Sequence, residues 1–371
     1  MLTRRSFLAM SALSGAVVST PSWATLTQQH SGKKLYASAY SVNKKEHFFG
    51  LFKENGDIAW STQLLDRAHA PVIHPSQSIV GIVARRPGFF MDFFDVSTHQ
   101  KITRIKPSKD HHFYGHALFT SDGKRLITQE NHYPTGQGKI FVRDWPSGQV
   151  LHSFSSNGIG PHESVLLNDQ VLIIANGGLM THPDEDRKIL NLDTMKPNVT
   201  YLNLQDGTVL NQSANSADLH QLSIRHLDVN QQGTVALGFQ YQGEMWDQVP
   251  LVAISRLDQA ELEYLPIPEE VRVRFKQYCG SVCFDSSGEI LAISTPRGGL
   301  VAYWHVSSKT FLGVENCRDV CGLVATDNAH EFLLTSGIGS QLKSNPVQNV
   351  SKMIKKHPNV HWDNHLRQIN A

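Results

Sequence analysis

The sequence carries almost no net charge. Its 34 lysine and arginine residues are matched by 33 aspartate and glutamate residues, which gives a formal net charge of +1. Binding to nucleic acid or to an anionic membrane surface needs a clustered excess of basic residues, so the composition argues against both partners. The sequence also lacks an apolar run of the roughly 20 residues that a transmembrane helix needs, and we expect no membrane span.

Several catalytic and cofactor-binding motifs are missing. The sequence contains no Cys-x-x-Cys-His motif, and we therefore expect no covalently bound haem. It also contains no glycine-rich phosphate loop, no Gly-x-Ser-x-Gly motif and no His-Glu-x-x-His motif. The sequence alone leaves open whether the protein is an enzyme.

Cysteine is scarce, with four residues that form two close pairs, Cys279 with Cys283 and Cys317 with Cys321. Each pair falls in a segment that reads as an extended strand, where a spacing of four residues separates the Cα atoms too far for a disulfide. Bridges between the two pairs stay open at this point.

The first residues match an export signal. The segment Thr3–Leu8 has the twin-arginine pattern, a weakly apolar run covers Ala9–Val18, and Ser22-Trp23-Ala24 resembles a signal-peptidase site. We expect residues 1–24 to be a cleaved twin-arginine signal peptide and residues 25–371 to be the mature, periplasmic protein. An uncleaved anchor or a chance arginine pair is the alternative.

Short runs of β-branched and aromatic residues alternate with polar and glycine turns along the whole chain. The exception is a short helical pattern around 268–278. The segments 117–126, 227–236 and 282–291 align as an apolar strand, a tight turn containing glycine, and a second apolar strand. Weaker copies begin near residues 70, 163 and 322, and a seventh near residue 365. Such a repeat predicts an all-β, seven-bladed β-propeller.

The two ends of the chain complete one another in this arrangement. The last copy supplies only one strand, at 363–367, whereas three strands without a repeat partner are predicted at 34–41, 47–53 and 58–64. Pairing the N-terminal strands with the C-terminal strand would close the ring and leave no free sheet edge.

One position of the repeat is rich in histidine. Aligning the copies places seven residues at the same point of the innermost strands: His69, His116, His162, His226, Ser281, Cys321 and His365. Because the innermost strands line the central channel, we expect five imidazoles and one thiol to meet near the axis. They are candidate metal ligands, namely His69, His116, His162, His226, His365 and Cys321. The alternative is that they only fill the channel and hydrogen-bond to their neighbours.

A second polar set is expected on the same face, at the ends of the second strands and in the loops beside them. Most of these side chains will be structural, but together they form a candidate ligand-binding wall. The set comprises Arg86, Glu130, Asn176, His182, Asp193, His220, Arg225, Gln240 and Arg297. The long connection 176–198 is expected to act as a lid or wall.

Several longer motifs resemble those of domain-of-unknown-function family 1513. They are 158–163 (GIGPHE), 176–178 (NGG) with 181–183 (THP), 190–195 (LNLDTM), 219–226 (LHQLSIRH), 294–299 (STPRGG) and 319–322 (DVCG). The resemblance implies an exported propeller similar to the YVTN and quinoprotein amine dehydrogenase β-chain class. It also implies a link to iron acquisition, with imelysin-like proteins and di-haem oxidoreductases of the periplasm as partners. It implies no established activity.

The leading hypothesis from the sequence is a periplasmic propeller that binds iron or another transition metal at the channel mouth. A metal bound by imidazoles should be lost as the pH falls towards their ordinary pKa of about 6.5. Two other hypotheses remain: a metal-free scaffold for protein interactions, and an enzyme that acts on a small anion held by Arg86, Arg225 and Arg297.

Overall fold

A computed structural model describes residues 34–185 and 188–369. In these residues, 28 β-strands form seven four-stranded antiparallel sheets, which confirms the predicted seven-bladed β-propeller. The expected twin-arginine segment and the expected cleavage site lie outside the described residues. Within the described ranges, no helix is long and apolar enough to cross a membrane.

Six blades follow one another along the chain, and the seventh contains both ends. Strands are numbered from the N-terminus. The closing blade contains β1 (Leu35–Val42), β2 (Glu46–Lys53), β3 (Ile58–Gln63) and β28 (Val360–Ile369). The next blade contains β4 (Ala68–Ile73), β5 (Ile79–Ala84), β6 (Met91–Asp95) and β7 (Lys101–Ile105). The blade after it contains β8 (His111–Phe119), β9 (Arg125–His132), β10 (Gln137–Asp144) and β11 (Val150–Ser155).

The remaining four blades have the same strand order. They are β12 (Pro161–Asn168), β13 (Val171–Asn176), β14 (Asn198–Asn203), β15 (Val209–Ala214); β16 (Leu222–Val229), β17 (Val235–Tyr241), β18 (Val252–Ser255), β19 (Glu263–Tyr264); β20 (Ser281–Phe284), β21 (Ile290–Thr295), β22 (Leu300–His305), β23 (Thr310–Asn316); and β24 (Val320–Ala325), β25 (Phe332–Ser336), β26 (Ser340–Asn345), β27 (Val350–Lys356). The expected short helix is α1 (Glu269–Arg272), which continues into a 3₁₀ turn at Val273–Phe275.

The strands of each blade differ in burial according to their distance from the axis. The innermost strands, β4, β8, β12, β16, β20, β24 and β28, contact one another around the ring. Second strands such as β13 and β21 are buried along their whole length, whereas outermost strands such as β11 and β27 are mostly exposed. Second strands therefore read as continuous apolar runs, because both of their faces pack against neighbouring blades.

The closing blade joins the two ends as expected. Strand β1 pairs with β28 from Leu35 opposite Ile369 to Val42 opposite Val360. The buried indole of Trp362 packs against Tyr40 and Phe52, with ring centroids 5.2 and 5.0 Å apart. The N-terminal strands thus gain a hydrogen-bonded inner neighbour and an aromatic core from the last strand.

The four cysteines are all buried and free. Bridges between the two pairs, which the sequence left open, are not formed. Burial raises the pKa of each thiol, which keeps all four protonated and unreactive at neutral pH.

Candidate functional site

The histidines reach the axis because their strands are bulged. In an ordinary strand, neighbouring side chains point to opposite faces, but β-bulges change that alternation and redirect a side chain. The pairing register shifts beside five ring histidines, in β4, β8, β12, β16 and β28. In β8 the bulge contains Gly115, whose φ of +106° is unfavourable for other residues and whose Cβ would lie 2.7 Å from the ring of His69.

The five imidazoles form one compact, buried cluster, which we call the histidine cluster. The ring centroid of His365 lies 4.4 Å from those of His69 and His116 and 4.9 Å from that of His226. The ring of His162 lies 5.1 Å from that of His116 and 4.8 Å from that of His226. Each residue of the cluster is at most 4% exposed. The structure therefore brings together all five histidines that the repeat aligned.

Glu163 links two members of the cluster. One carboxylate oxygen, Oε2, lies 3.1 Å from Nδ1 of His226, and the other, Oε1, lies 3.3 Å from Nδ1 of His116. The half-exposed guanidinium of Arg367 also lies 3.3 Å from Oε1. Burial alone would raise the pKa of Glu163, but attraction to His116 and the hydrogen bonds from both rings lower it well below its usual range. Glu163 is therefore ionised.

A second buried carboxylate holds His69. Oδ1 of Asp363 lies 2.9 Å from Nδ1 of His69, and Arg67 and Arg85 donate hydrogen bonds to the same carboxylate. Burial alone would raise the pKa of Asp363, but the charges of the arginines and the hydrogen bond to His69 lower it. The negative charge is thus compensated by two guanidiniums, and the ring of His69 is fixed in orientation.

Four imidazoles of the cluster, those of His69, His162, His226 and His365, are neutral at physiological pH. Burial lowers the pKa of His69 to about 3 and that of His226 to about 4, although a carboxylate partner opposes the shift in each case. Burial also lowers the pKa of His162 and His365 well below 6.5. Protons should therefore compete with a metal for these four imidazoles only in solution more acidic than pH 6.5.

The hydrogen bonds leave several ring nitrogens free to bind a ligand. A ring that donates its Nδ1 hydrogen to a carboxylate keeps a lone pair on Nε2, which applies to His69, His116 and His226. Nε2 of His116 and Nδ1 of His162 are buried without a hydrogen-bond partner. Nε2 of His365 lies 3.2 Å from Nε2 of His69, so the lone pair of His69 accepts a hydrogen bond from His365. These lone pairs are the donor type that divalent transition metals prefer.

Two overlapping groups of residues could hold a metal ion. One is His116, Glu163, His226 and His365, and the other is His69, His116 and His162; in each group the ligand atoms lie within 4.8 Å of one another. Metal–nitrogen bonds of about 2.0–2.1 Å place opposite ligand atoms at most about 4.2 Å apart. Movements of a few tenths of an ångström would therefore close either group around an ion.

Cys321 and Ser281 occupy the ring position but do not join these groups. The thiol of Cys321 lies 3.3 Å from the carbonyl oxygen of Trp362 and 3.6 Å from that of Thr335, within a hydrophobic core cluster. The hydroxyl of Ser281 donates to the carbonyl oxygen of Asn364 at 2.6 Å. Both side chains thus contact backbone carbonyl oxygens near the histidines.

A cavity of about 300 Å³ lies over the cluster, at the mouth of the channel. It is lined by His69, His162 and His226 from the cluster, and by four members of the second polar set: Arg86, Arg225, Gln240 and Arg297. Leu179 and Ile189 of the long loop 176–198 form part of its wall, as expected for that loop.

The other five members of the second polar set lie outside the cavity lining. Glu130 is buried and paired with Arg143 at 2.5 Å, and Asn176 donates to the carbonyl oxygen of Ser156. The half-exposed ring of His182 packs against Tyr133. His220 contacts the carbonyl oxygen of Ala217, and Asp193 is exposed in a 3₁₀ turn.

Glu163 and Asp363 are the functional candidates that sequence reasoning missed. Glu163 directly follows a ring histidine, and Asp363 precedes another by two residues. The available signal was an acidic residue within two positions of His162 and of His365. The register of β12 shifts between Pro161 and Glu163, so the regular alternation of a strand does not predict that Glu163 reaches His116 and His226.

These features define a seven-bladed β-propeller with a buried histidine–carboxylate cluster on its axis and a cationic cavity above it. The chain belongs to the family described as protein of unknown function, DUF1513, whose sequence profile matches residues 62–369. This confirms the resemblance found in the motifs. No curated protein matches the chain.

Two solved structures are similar in fold but distant in sequence. Hydrazine synthase from Kuenenia stuttgartiensis has a TM-score of 0.59 and 12% identity, with 84% of this chain and 90% of that chain covered. A chain in a crystal structure of a mitotic checkpoint complex has a TM-score of 0.58 and 9% identity, with 78% and 79% covered. At this level of identity, both show the propeller fold alone.

Proposed function

We propose that the protein binds a transition-metal ion in the histidine cluster on the propeller axis. The observation that carries the proposal is the set of buried imidazoles whose ring nitrogens converge, two of these nitrogens without any hydrogen-bond partner. Unpaired buried polar atoms are costly. A metal ion would satisfy them, whereas a simple channel plug could use apolar side chains.

The carboxylates support this proposal because they contact the Nδ1 atoms of the rings and leave the Nε2 atoms to bind a metal. A histidine that binds a metal through one nitrogen usually donates its other ring hydrogen to a carboxylate or carbonyl, which fixes the tautomer and makes the ligand more basic. Glu163 has this relation to His116 and His226, and Asp363 has it to His69. A pure packing role would not require ionised groups at these places.

We also propose that the metal is iron and that the protein acts in the periplasm, in iron acquisition with imelysin-like proteins and di-haem oxidoreductases. The support is the twin-arginine segment and the resemblance described above. The ligand types do not select iron by themselves, since imidazole and carboxylate also suit zinc, copper and nickel.

The test is elemental analysis followed by titration. Protein purified from the periplasm should contain one transition-metal ion per chain, and the metal-free protein should rebind it. His116→Ala removes a ring that belongs to both candidate groups and should weaken binding at least tenfold. His220→Ala, which removes a half-exposed imidazole outside the cluster, should leave binding unchanged. Protein that neither carries nor rebinds a metal would refute the proposal and favour the channel plug.

A further inference from the structure

The cavity above the histidine cluster is lined by four arginines: Arg85, Arg86, Arg225 and Arg297. Tyr114, Tyr241, Tyr278, Gln240 and Gln242 complete much of its wall. Among the described residues that line it, none is an aspartate or a glutamate. A concave site with convergent charges of one sign concentrates the field and attracts ligands of the opposite sign.

The four arginines differ in how far their charge is compensated. Arg85 is paired with Asp363 at 3.0 Å, and the guanidinium of the exposed Arg297 lies 4.4 Å from the centroid of the Tyr278 ring. Arg225 has no carboxylate within salt-bridge distance in the described part of the chain. Its charge therefore remains to be balanced by a ligand.

Arg225 is also buried, with 7% of its surface exposed, and its Nε and Nη1 atoms have no hydrogen-bond partner. The guanidinium of arginine is charged at neutral pH. Gly177 leaves room for its side chain, since a Cβ there would lie 3.3 Å from Cδ of Arg225. An unpaired buried charge is strongly destabilising. Arg225 therefore does not stabilise the fold, and its position indicates a role in binding a ligand.

We propose that this cavity binds a small, multiply charged anion through its carboxylate or phosphate oxygen atoms, with Arg225 as the central contact. The planar guanidinium donates two parallel hydrogen bonds to such groups. The volume of about 300 Å³ is at the lower end of the range for small-molecule pockets, about 300–1,000 Å³. The site is separate from the metal proposal, because the arginines attract an anion whether or not the histidine cluster holds an ion.

The test is calorimetric titration of metal-free protein with citrate and with pyrophosphate, at constant ionic strength set with sodium chloride. Glycerol serves as a neutral control. We expect saturable binding of at least one of the two anions and no binding of glycerol. The preferred anion shows whether carboxylate or phosphate groups are recognised. Arg225→Gln should weaken binding at least tenfold and raise the melting temperature of the ligand-free protein, because it removes the unpaired buried charge.

Two further variants complete the test. Arg125→Gln changes an exposed arginine at the opposite end of its blade and should bind the anion like the wild type. Arg297→Gln, at the exposed rim of the cavity, should weaken binding severalfold and remains informative if Arg225→Gln does not fold. Absence of binding by both anions, or equal affinity in all variants, would overturn the proposal. Because metal-free protein is used, failure here leaves the metal proposal standing, and the reverse also holds.

Discussion

Replacing Glu163 by glutamine separates a metal site from a channel plug. The substitution keeps the size of the side chain but removes its charge and turns one acceptor oxygen into a donor. The carboxylate now accepts from Nδ1 of His226 at 3.1 Å and from Nδ1 of His116 at 3.3 Å. In Glu163→Gln the amide nitrogen faces one of these rings, and that ring must change its tautomer or lose its partner.

The expected loss of stability follows from these contacts. A hydrogen bond to a charged group contributes about 1.5–3 kcal/mol, and one such bond is lost outright. The contact with Arg367 adds little, because that arginine is half exposed. We therefore expect the metal-free variant to lose about 1.5–3 kcal/mol in urea unfolding. If the ring changes tautomer, its Nε2 lone pair moves to Nδ1, away from the ion.

Glu163→Gln should also weaken metal binding, independently of its effect on the free energy of unfolding. Loss of a carboxylate that orients a ligating histidine typically costs 10–100-fold in metal affinity, and loss of a direct ligand costs more. The matched control is Glu130→Gln, which neutralises another fully buried carboxylate, paired with Arg143 and outside both candidate metal groups. It should lose stability but keep its metal affinity. Equal metal affinity in Glu163→Gln and the wild type would refute the assigned role of Glu163.

Three further outcomes are expected. Trp362→Ala should lower the free energy of unfolding in urea by about 3–5 kcal/mol, since it empties the aromatic core of the closing blade. The control Trp246→Ala, at an exposed tryptophan, should change that free energy by less than about 0.5 kcal/mol. A small effect of Trp362→Ala would contradict the closure of the ring by the last strand. Burial lowers the pKa of His112 from 6.5 to about 4. The stability that its neutral ring contributes is fully present above pH 6.5, and about 3 kcal/mol of the free energy of unfolding should be lost as the pH falls to 4. His112→Asn should flatten the stability profile in that window, and an unchanged slope would exclude this origin. Replacing Arg4 and Arg5 together by lysine should leave the protein in the cytoplasm, as cell fractionation would show, and normal export would exclude the twin-arginine route.

The blade repeat could be predicted because its signals are local. A tight turn containing glycine between two apolar strands needs particular residue types at fixed positions, and these recur along the chain. The closure followed from counting strands at both ends. The alignment also identified the five histidines of the cluster, since the innermost strand of each blade lies beside the axis.

The direction of individual side chains could not be predicted in the same way. A bulge shifts the alternation of a strand by one residue, and the sequence of β12 does not show where that shift occurs. The sequence therefore did not place Glu163 beside the rings of His116 and His226. In β24 a comparable register shift lies beside Cys321, yet its thiol contacts backbone carbonyl oxygens rather than the imidazoles.

The cluster and the cavity are electrostatically dependent on each other. The two buried carboxylates are already compensated, Asp363 by Arg67 and Arg85, and Glu163 in part by Arg367. A divalent ion among the imidazoles would therefore add positive charge below Arg225, which has no carboxylate partner among the described residues. An anion in the cavity would offset both charges.

Binding of the two ligands should consequently be cooperative. Linkage requires that the anion raise the affinity for the metal by the same factor as the metal raises the affinity for the anion. A cavity that lies against His69, His162 and His226 is close enough for this coupling to be only weakly screened, because buried charges are little affected by salt. The arrangement thus favours uptake of a metal together with an anionic ligand over uptake of either one alone.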